Sequence, residues 1–572
     1  MVAISENAQG RLTIQTVEIA PNTTAIRSLD WDRDRFDIEF GLQNGTTYNS
    51  YLIKGEKIVL VDTSHQKFRD LYLNTLKSLV NPKAIDYIIV SHTEPDHSGL
   101  VEDVLQLAPR ATVLASKIAL QFLDNLVHDP FSKRIVKSGD RINIGKGHEI
   151  EFVSAPNLHW PDTIFSYDRH TEVLYTCDAF GMHYCSDDTF DKDLEAIEAD
   201  FRFYYDCLMG PNARSLLNAM KKMGDLGHIK IIANGHGPLL YHHLDVLREC
   251  YQSWSHKQAN KETTVGVLYV SDYGYGERLA QAVSQGIQKS EVGVEFIDIA
   301  TADVQEVNEL ALRSAGIVIG MPPSDNAAAH AAISSLLAVV KNKQFVGFFE
   351  SFGGDDEPIA PLRKRFIDLG VKEAFPAMKI KQTPNEPLFR ELQECGTDMG
   401  QLVVRARNIK QVKSIDVNIE KALGRISNGL YILTTAKDGT KNGMLASWVA
   451  QASLKPLGFT VAVAKERAIE SCLQVGDRFV LNVLEEGNYK ELKKHFLKRL
   501  LPGCDRFATI NTQTANNGCS ILCDALAYME CEVIRTMECS DHFIMYCSVE
   551  HGRVSKPEGI TAVRHRKVGN YY

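Results

Sequence analysis

The segment Val90–Leu100, VSHTEPDHSGL, constrains the fold more than any other stretch of this chain. Six consecutive positions carry four side chains able to bind a metal: His92, Glu94, Asp96 and His97. The segment follows the β-branched run AIDYIIVSH (84–92) and precedes a helical pattern that Ser98 is placed to cap. Pro95 biases Glu94 toward extended backbone, so positions 92, 94 and 96 are expected to project to one side. Past Pro95 the chain can turn, letting Asp96 and His97 address a second ion. Two or three local ligands leave an ion under-coordinated, so others must come from segments distant in sequence.

Three candidates sit where strands end, the place α/β scaffolds reserve for functional groups. His159 follows FVSAPNLH, Asp178 ends VLYTCD, and His236 stands in IIANGHG. With the first cluster this makes four imidazoles and three carboxylates without a thiolate, a donor set suited to iron or manganese. His183, His242 and His243 lie near in sequence and are candidate donors to the ligands. Cys177 adjoins Asp178, and strand alternation is expected to turn it to the opposite face.

At 572 residues the chain is too long for one hydrophobic core, and three or four modules are expected. Up to about residue 250, short β-branched runs such as KIVLVDT (57–63) and EIEFVSA (149–155) alternate with helical patterns. The polar stretch SWSHKQANKETT (253–264) then reads as a linker. A second block places strands VGVLYVS, GVEFIDI, AGIVIG and QFVGFFES at helix-like separations, with the helix ERLAQAVSQGIQ starting at Glu277. That alternation means a parallel sheet with right-handed crossovers. The charged stretch RARNIKQVKSIDVN (405–418) leads to a third block of β runs, GLYILTTA, GFTVAVA and RFVLNVL, which reads as a barrel.

Composition narrows the function classes. A net charge of −9 offers neither a nucleic-acid track nor attraction to an anionic membrane surface. No apolar run suits membrane insertion, and the N-terminus lacks the pattern of a secretory signal, so the expected compartment is cytoplasmic. The 12 cysteines are scattered without a C-x-x-C pair, which reads as buried thiols in a reducing compartment and excludes an iron–sulfur cluster.

The metal-binding pattern resembles the metallo-β-lactamase-like domain of flavodiiron proteins. Zinc hydrolases of that superfamily carry H-x-H-x-D-H, and here Glu94 replaces the second histidine. The resemblance implies that His92, Glu94, His159 and Asp178 hold one iron, and Asp96, His97, Asp178 and His236 the other. Asp178 would then bridge two Fe ions per subunit. In the second block, Ser271, Asp272, Tyr273, Gly274 and Gly276 occupy the place where a flavodoxin wraps the FMN phosphate. Pro322, Ser324 and Asn326, then Ser351, Phe352, Gly353 and Gly354, resemble the two loops flanking its isoalloxazine ring. The family's phosphate loop ends in Thr or Ser where this chain has Gly276, and Asp272 and Glu277 bring negative charge close, so weak FMN retention is expected. The third block resembles split-barrel flavin reductases, which bind FMN or FAD and take hydride from NAD(P)H. Asn442, Ala446, Ser447, Trp448, Gln451 and Ser453 match the flavin-cradling segment, and Ser540-Asp541-His542 resembles the later Gly-Asp-His turn.

The order of modules resembles the flavodiiron proteins of cyanobacteria and other oxygenic phototrophs. It implies a multi-domain α/β chain: an αββα metallo-β-lactamase-like sandwich (1–255), a flavodoxin-like doubly wound parallel sheet (264–406) and a split β-barrel (420–572). The implied function is an NAD(P)H:oxygen oxidoreductase, an electron sink that takes O2 to water. Its subunits are expected as a homodimer or a heterodimer with a paralogue. Nitric-oxide reduction at the same site, and a zinc-dependent hydrolase fused to flavin domains, are the alternatives.

Overall fold

A computed structural model of the chain describes residues 3–7, 10–33, 35–36, 40–42, 44–270, 275–321, 326–350, 359–381, 384–408, 422–437, 439–465, 467, 469, 472–497 and 505–564. Two compact units divide it: Met1–Gln281 with Gly293–Arg313 and Gly320–Val340, and Ala282–Val292 with Ser314–Ile319 and Lys341–Tyr572.

Side-chain alternation in the first module creates two cores at once. An eight-stranded sheet runs in the order Ala3–Asn7, Gly10–Ala20, Thr23–Asp30, Thr46–Lys54, Ile58–Val61, Ile85–Ile89, Thr112–Ala115 and Ser132–Ile135. Leu52, Leu60 and Ile88 on one face meet Tyr72, Leu76, Val104 and Leu120 of the helices Arg69–Leu79, Val101–Leu107 and Lys117–Leu126. Their neighbours Tyr51, Ile53, Val59, Val61 and Ile89 point the other way. There they pack on Phe152, Ile164, Tyr175 and Ala233 of a five-stranded sheet, Arg141–Gly145, His148–Ser154, Ile164–Asp168, Val173–Cys177 and Ile231–Asn234. The outer face of that sheet is covered by helices Leu194–Tyr204, Ala213–Met223 and Leu244–Ala259. This is the αββα sandwich that the resemblance implied.

The stretch expected as a linker from 253 is helical to Ala259. Its polar composition hides a buried side: Ser255 is fully buried and shares a 3.0 Å hydrogen bond with Tyr205, while Trp254 lies against Tyr205 and under Arg202.

The middle strands form a sheet in the order Gly293–Asp298, Thr264–Tyr269, Gly316–Met321, Phe345–Glu350 and Lys372–Glu373, with Met378–Lys379 also on Phe345–Glu350. The order of the five is the flavodoxin-like one. The helix after Thr264–Tyr269 starts at Tyr275, two residues before Glu277.

The third module is one seven-stranded sheet, Thr440–Ala446, Tyr431–Lys437, Arg478–Val483, Ala527–Glu538, His542–Val554, Leu457–Ala464 and Val449–Leu454. Its consecutive strands pair antiparallel. One core takes Leu433, Met444, Phe459, Phe479, Cys531 and Met545 from six of these strands, so the sheet curls round it as a barrel. Register shifts at Glu530/Cys531 and Val533/Arg535 bend the longest pair. Among the described residues no helix is long and apolar enough to cross a membrane, and the 11 described cysteines are all free thiols.

Candidate metal centre

His92 stands three residues past the strand Ile85–Ile89, and the loop after the neighbouring strand Ile58–Val61 fixes its approach. Asp62, in the left-handed region at φ 56°, accepts from the Ser91 amide at 2.7 Å. Thr63 donates from both its amide and its hydroxyl to the His97 carbonyl, at 2.8 and 2.6 Å. Glu94 is extended, as Pro95 demands, but a short helix spans Pro95–Ser98, so Asp96 does not continue the extended row. Ser98 caps no helix. Its hydroxyl donates back to the Thr93 and Glu94 carbonyls at 2.7 and 3.1 Å.

The seven candidate ligands converge in two groups. His92, Glu94, His159 and Asp178 form one, with ligand atoms within 4.8 Å of one another; Asp96, His97 and His236 form the other. Glu94 Oε2 lies 3.2 Å from His92 Nε2 and 2.9 Å from His159 Nε2. Asp178 divides its oxygens between the groups. Its Oδ1 is 2.9 Å from His97 Nε2 and 3.3 Å from His236 Nε2, whereas its Oδ2 is 3.5 Å from the Nε2 of both His92 and His159. Asp96 Oδ2 is 3.2 Å from His236 Nε2. All seven residues are buried.

Neighbouring groups hold two of the imidazoles, His92 and His236, with Nε2 inward. His92 Nδ1 lies 2.8 Å from Asp162, whose second oxygen accepts from the Thr93 amide and hydroxyl at 2.8 and 2.6 Å. His236 Nδ1 donates to the Thr47 carbonyl at 2.7 Å. The His236 loop is itself tied to the strand Thr46–Lys54: Asn49 donates to the Asn234 and Gly237 carbonyls at 3.1 and 3.0 Å, and Tyr51 to the Asn234 carbonyl at 2.5 Å. Gly235 is required by close approach, since a Cβ there would stand 2.6 Å from His97 Cε1. Tyr204 donates to Asp178 Oδ1 at 3.1 Å, and Trp160 sets its ring edge-on to His92 at 4.8 Å.

The electrostatics are those of a donor set drawn in on itself. Burial opposes charge on His236, but hydrogen bonds to Asp178 and Asp96 outweigh it and hold the imidazole up at about 10. Burial likewise opposes charge on Asp178, and His97 and His236 override it to keep the carboxyl well below its usual range. Asp96 Oδ1 and Asp178 Oδ2 are buried without a hydrogen-bond donor. Carboxylate oxygens left open among inward-facing imidazoles are what a pair of cations would satisfy, the ions displacing the shared protons.

Of the nearby histidines, only His183 borders the site. Its Nδ1 is 2.9 Å from Thr46 Oγ1 and its ring 5.0 Å from that of His236, while burial and His236 push its basicity well down. His242 and His243 instead give their amides to Asp191 at 2.8 Å each. Cys177 does not point away. A register shift between Tyr175 and Cys177 and a φ of 52° break the alternation, and a ligand atom of Cys177 lies within 4.8 Å of those of His97 and Asp178.

Asp62, Thr63, Asp162, Thr47 and Tyr204 were not singled out from the sequence. Asp162 alone carried a local signal, as the acid in HWPDT directly after His159; the others sit in segments without a motif.

In the middle module, Ser271, Asp272, Tyr273, Gly274, Pro322, Ser324, Ser351, Phe352, Gly353 and Gly354 lie outside the described residues. At Gly276 a Cβ would come 2.5 Å from the Val270 carbonyl oxygen, so a side chain there would require the backbone to shift. Asn326 caps the helix Ala327–Val339, accepting from the Ala329 amide at 3.0 Å.

In the third module, Trp448 and His542 come together with ring centroids 4.9 Å apart, and Ala446 and Ser447 are buried just before Trp448. Gln451 is exposed on the edge strand Val449–Leu454. Ser453 is 2.8 Å from Tyr546 Oη, and Asn442 donates to Glu394 at 3.4 Å, so neither joins the Trp448–His542 pair.

Two family models match parts of the first and third modules. Residues 46–237 match the ODP family beta lactamase, and residues 423–569 the flavin reductase like domain. A putative diflavin flavoprotein A 2 of Nostoc is 77% identical over 100% of this chain and 98% of its own length. A diflavin flavoprotein A 1 of Synechocystis is 63% identical over 99% of each chain. The solved structure of a metal-soaked flavodiiron core from Synechocystis is similar at 34% identity and a TM-score of 0.65, covering 69% of this chain and 99% of that one.

Proposed function

Because the chain belongs to the diflavin flavoproteins, which are three-domain flavodiiron oxidoreductases, we propose that it is an NAD(P)H:oxygen oxidoreductase whose buried histidine–carboxylate centre reduces O2 to water. The observation that carries this reading is Asp178, whose two oxygens face two separate histidine groups. A carboxylate so placed is built to bridge two cations.

His92, Glu94, His159 and Asp178 are the proposed ligands of one iron, and Asp96, His97, Asp178 and His236 those of the other. Iron there would supply the redox chemistry, with FMN in the middle module and FMN or FAD in the third passing electrons drawn from NAD(P)H. The chain's own residues do the positioning. Asp162 and the Thr47 carbonyl hold His92 and His236 with Nε2 inward. Tyr204 donates a hydrogen bond to Asp178 Oδ1, and Trp160 packs edge-on against the buried His92. Carboxylate in place of a third imidazole in the His92 group favours iron over zinc, which supports an oxidoreductase rather than a hydrolase.

The proposed modules are 1–255, 264–406 and 420–572, acting in the cytoplasm as a homodimer or as a heterodimer with a paralogue. Metal and flavin analysis of the purified chain, with NAD(P)H-dependent O2 uptake, tests the proposal. Two irons and two flavins per subunit with O2 consumed and little peroxide released are expected. Zinc in place of iron, or turnover of nitric oxide without O2 uptake, would overturn it.

A further inference from the structure

Helix Glu386–Asn408, the last element of the middle module, carries two incompatible faces. One is apolar and glycine-lined. Leu392, Cys395 and Met399 are fully buried, and a Cβ on Gly396 would stand 1.8 Å from the Val283 carbonyl oxygen. From the facing helix, a Cβ on Gly286 would stand 1.9 Å from the Gln393 carbonyl oxygen. Two backbones meeting this closely fix the helix to its own module.

The other face is the stripe Pro387, Arg390, Glu391 and Glu394, spaced for one side of a helix. These residues line a cleft of about 450 Å³ whose opposite wall is Thr440, Lys441, Asn442, Asp505 and Arg506 of the barrel. Polar groups bridge the two walls. Arg390 donates to the Lys437 carbonyl at 2.9 Å, and Asn442 donates to Glu394 Oε1 at 3.4 Å. Arg506 Nη2 lies 3.2 Å from Glu394 Oε2, with side chains only 19% and 17% exposed. The Arg506 backbone is anchored in turn, its carbonyl accepting from His495 Nε2 at 2.7 Å.

We propose that the Glu394–Arg506 pair, with Arg390 and Asn442, docks the reductase-like barrel onto helix Glu386–Asn408, so that barrel and helix move as one body rather than as beads on a tether. The choice of polar groups fits a specifying role. Removing one partner of a largely buried ion pair leaves the other uncompensated, whereas the intact pair adds little net stability. Such a pair penalises every docking but the one that satisfies it.

The test uses the full chain. Glu394→Gln and Arg506→Gln are compared with the parent and with the charge swap Glu394→Arg plus Arg506→Glu. Amide exchange of the hairpin Tyr431–Ala446 and the radius of gyration in solution scattering are measured. Each single variant is expected to speed exchange at Lys437–Asn442 by about tenfold or more and to raise the radius, while the swap restores much of both. Unchanged exchange and radius in the single variants would overturn the proposal. So would a swap as loose as the singles, since the residues would then act through the helix alone. Arg506→Gln leaves the helix sequence intact, so it remains decisive if Glu394 variants misfold.

Discussion

Asp162 and His92 are joined by a 2.8 Å contact from Oδ1 to Nδ1, and that contact leaves His92 Nε2 aimed at Glu94 and Asp178. The carboxylate fixes both ring orientation and which nitrogen is open. Asp162→Asn should therefore weaken metal binding by about ten- to a hundredfold without altering the flavins. Competitive iron titration of the stripped protein measures it, and parent-like affinity would show that the pair merely fills space.

Asp178→Asn is the sharper lesion. An amide cannot offer an anionic oxygen to both histidine groups, so O2 uptake should be abolished while flavin reduction by NAD(P)H proceeds at the parent rate. The separation of these two rates in one variant is the readout. Loss of both would place Asp178 in overall folding instead.

Ending the chain near residue 410 should leave a protein that binds iron and no longer oxidises NAD(P)H directly. A flavodiiron core that covers 69% of this chain has been solved from a relative, so the shorter chain is expected to fold. The truncation bares the Arg390–Glu394 stripe, whose charge tolerates water. Undiminished NAD(P)H oxidation would mean that a nicotinamide site lies in the first two modules.

Gly276→Thr places a side chain against the Val270 carbonyl oxygen, which a Cβ would approach to 2.5 Å. The backbone must shift, at a cost of about 1–3 kcal/mol, and FMN retention should fall. Dialysis followed by flavin quantification, with the unfolding midpoint alongside, decides it. Tighter FMN at an unshifted midpoint would show that the loop yields and gains a phosphate donor.

How far the sequence reached depends on whether a signal was local. The cluster from His92 to His97 and the residues His159, Asp178 and His236 rest on short-range pattern, and the structure gathers them into two groups. Pattern failed where one residue bends the rule. Cys177 was expected to face away, but a left-handed backbone and a register shift at that residue override alternation. Ser98 has the composition of a cap but bonds backward. The stretch from 253 reads as linker because only one side of its helix is buried. Thr47 and Asp62 act through partners 189 and 29 residues away, a pairing that only the folded sheets create.

Glu94→His tests what selects the metal. Glu94 Oε2 sits between His92 Nε2 and His159 Nε2, at 3.2 and 2.9 Å, so it already occupies the position a third imidazole would take. Its backbone is extended and held by Pro95, which keeps a new side chain aimed inward. The substitution rebuilds the H-x-H-x-D-H pattern of the zinc hydrolases and leaves the other six candidate ligands in place. Imidazole softens the site, and nitrogen-rich sites already bind zinc more tightly than ferrous iron. The variant is expected to carry zinc, keep its fold and flavins, and lose reduction of O2 to water. Zinc is redox-silent, so electrons from NAD(P)H would halt on the flavins and leak to O2 as peroxide. Metal analysis and the ratio of peroxide formed to O2 consumed are the measurements. Two irons per chain and parental water production would mean that Glu94 does not choose the metal, and the case against a hydrolase would then rest on the flavin modules alone.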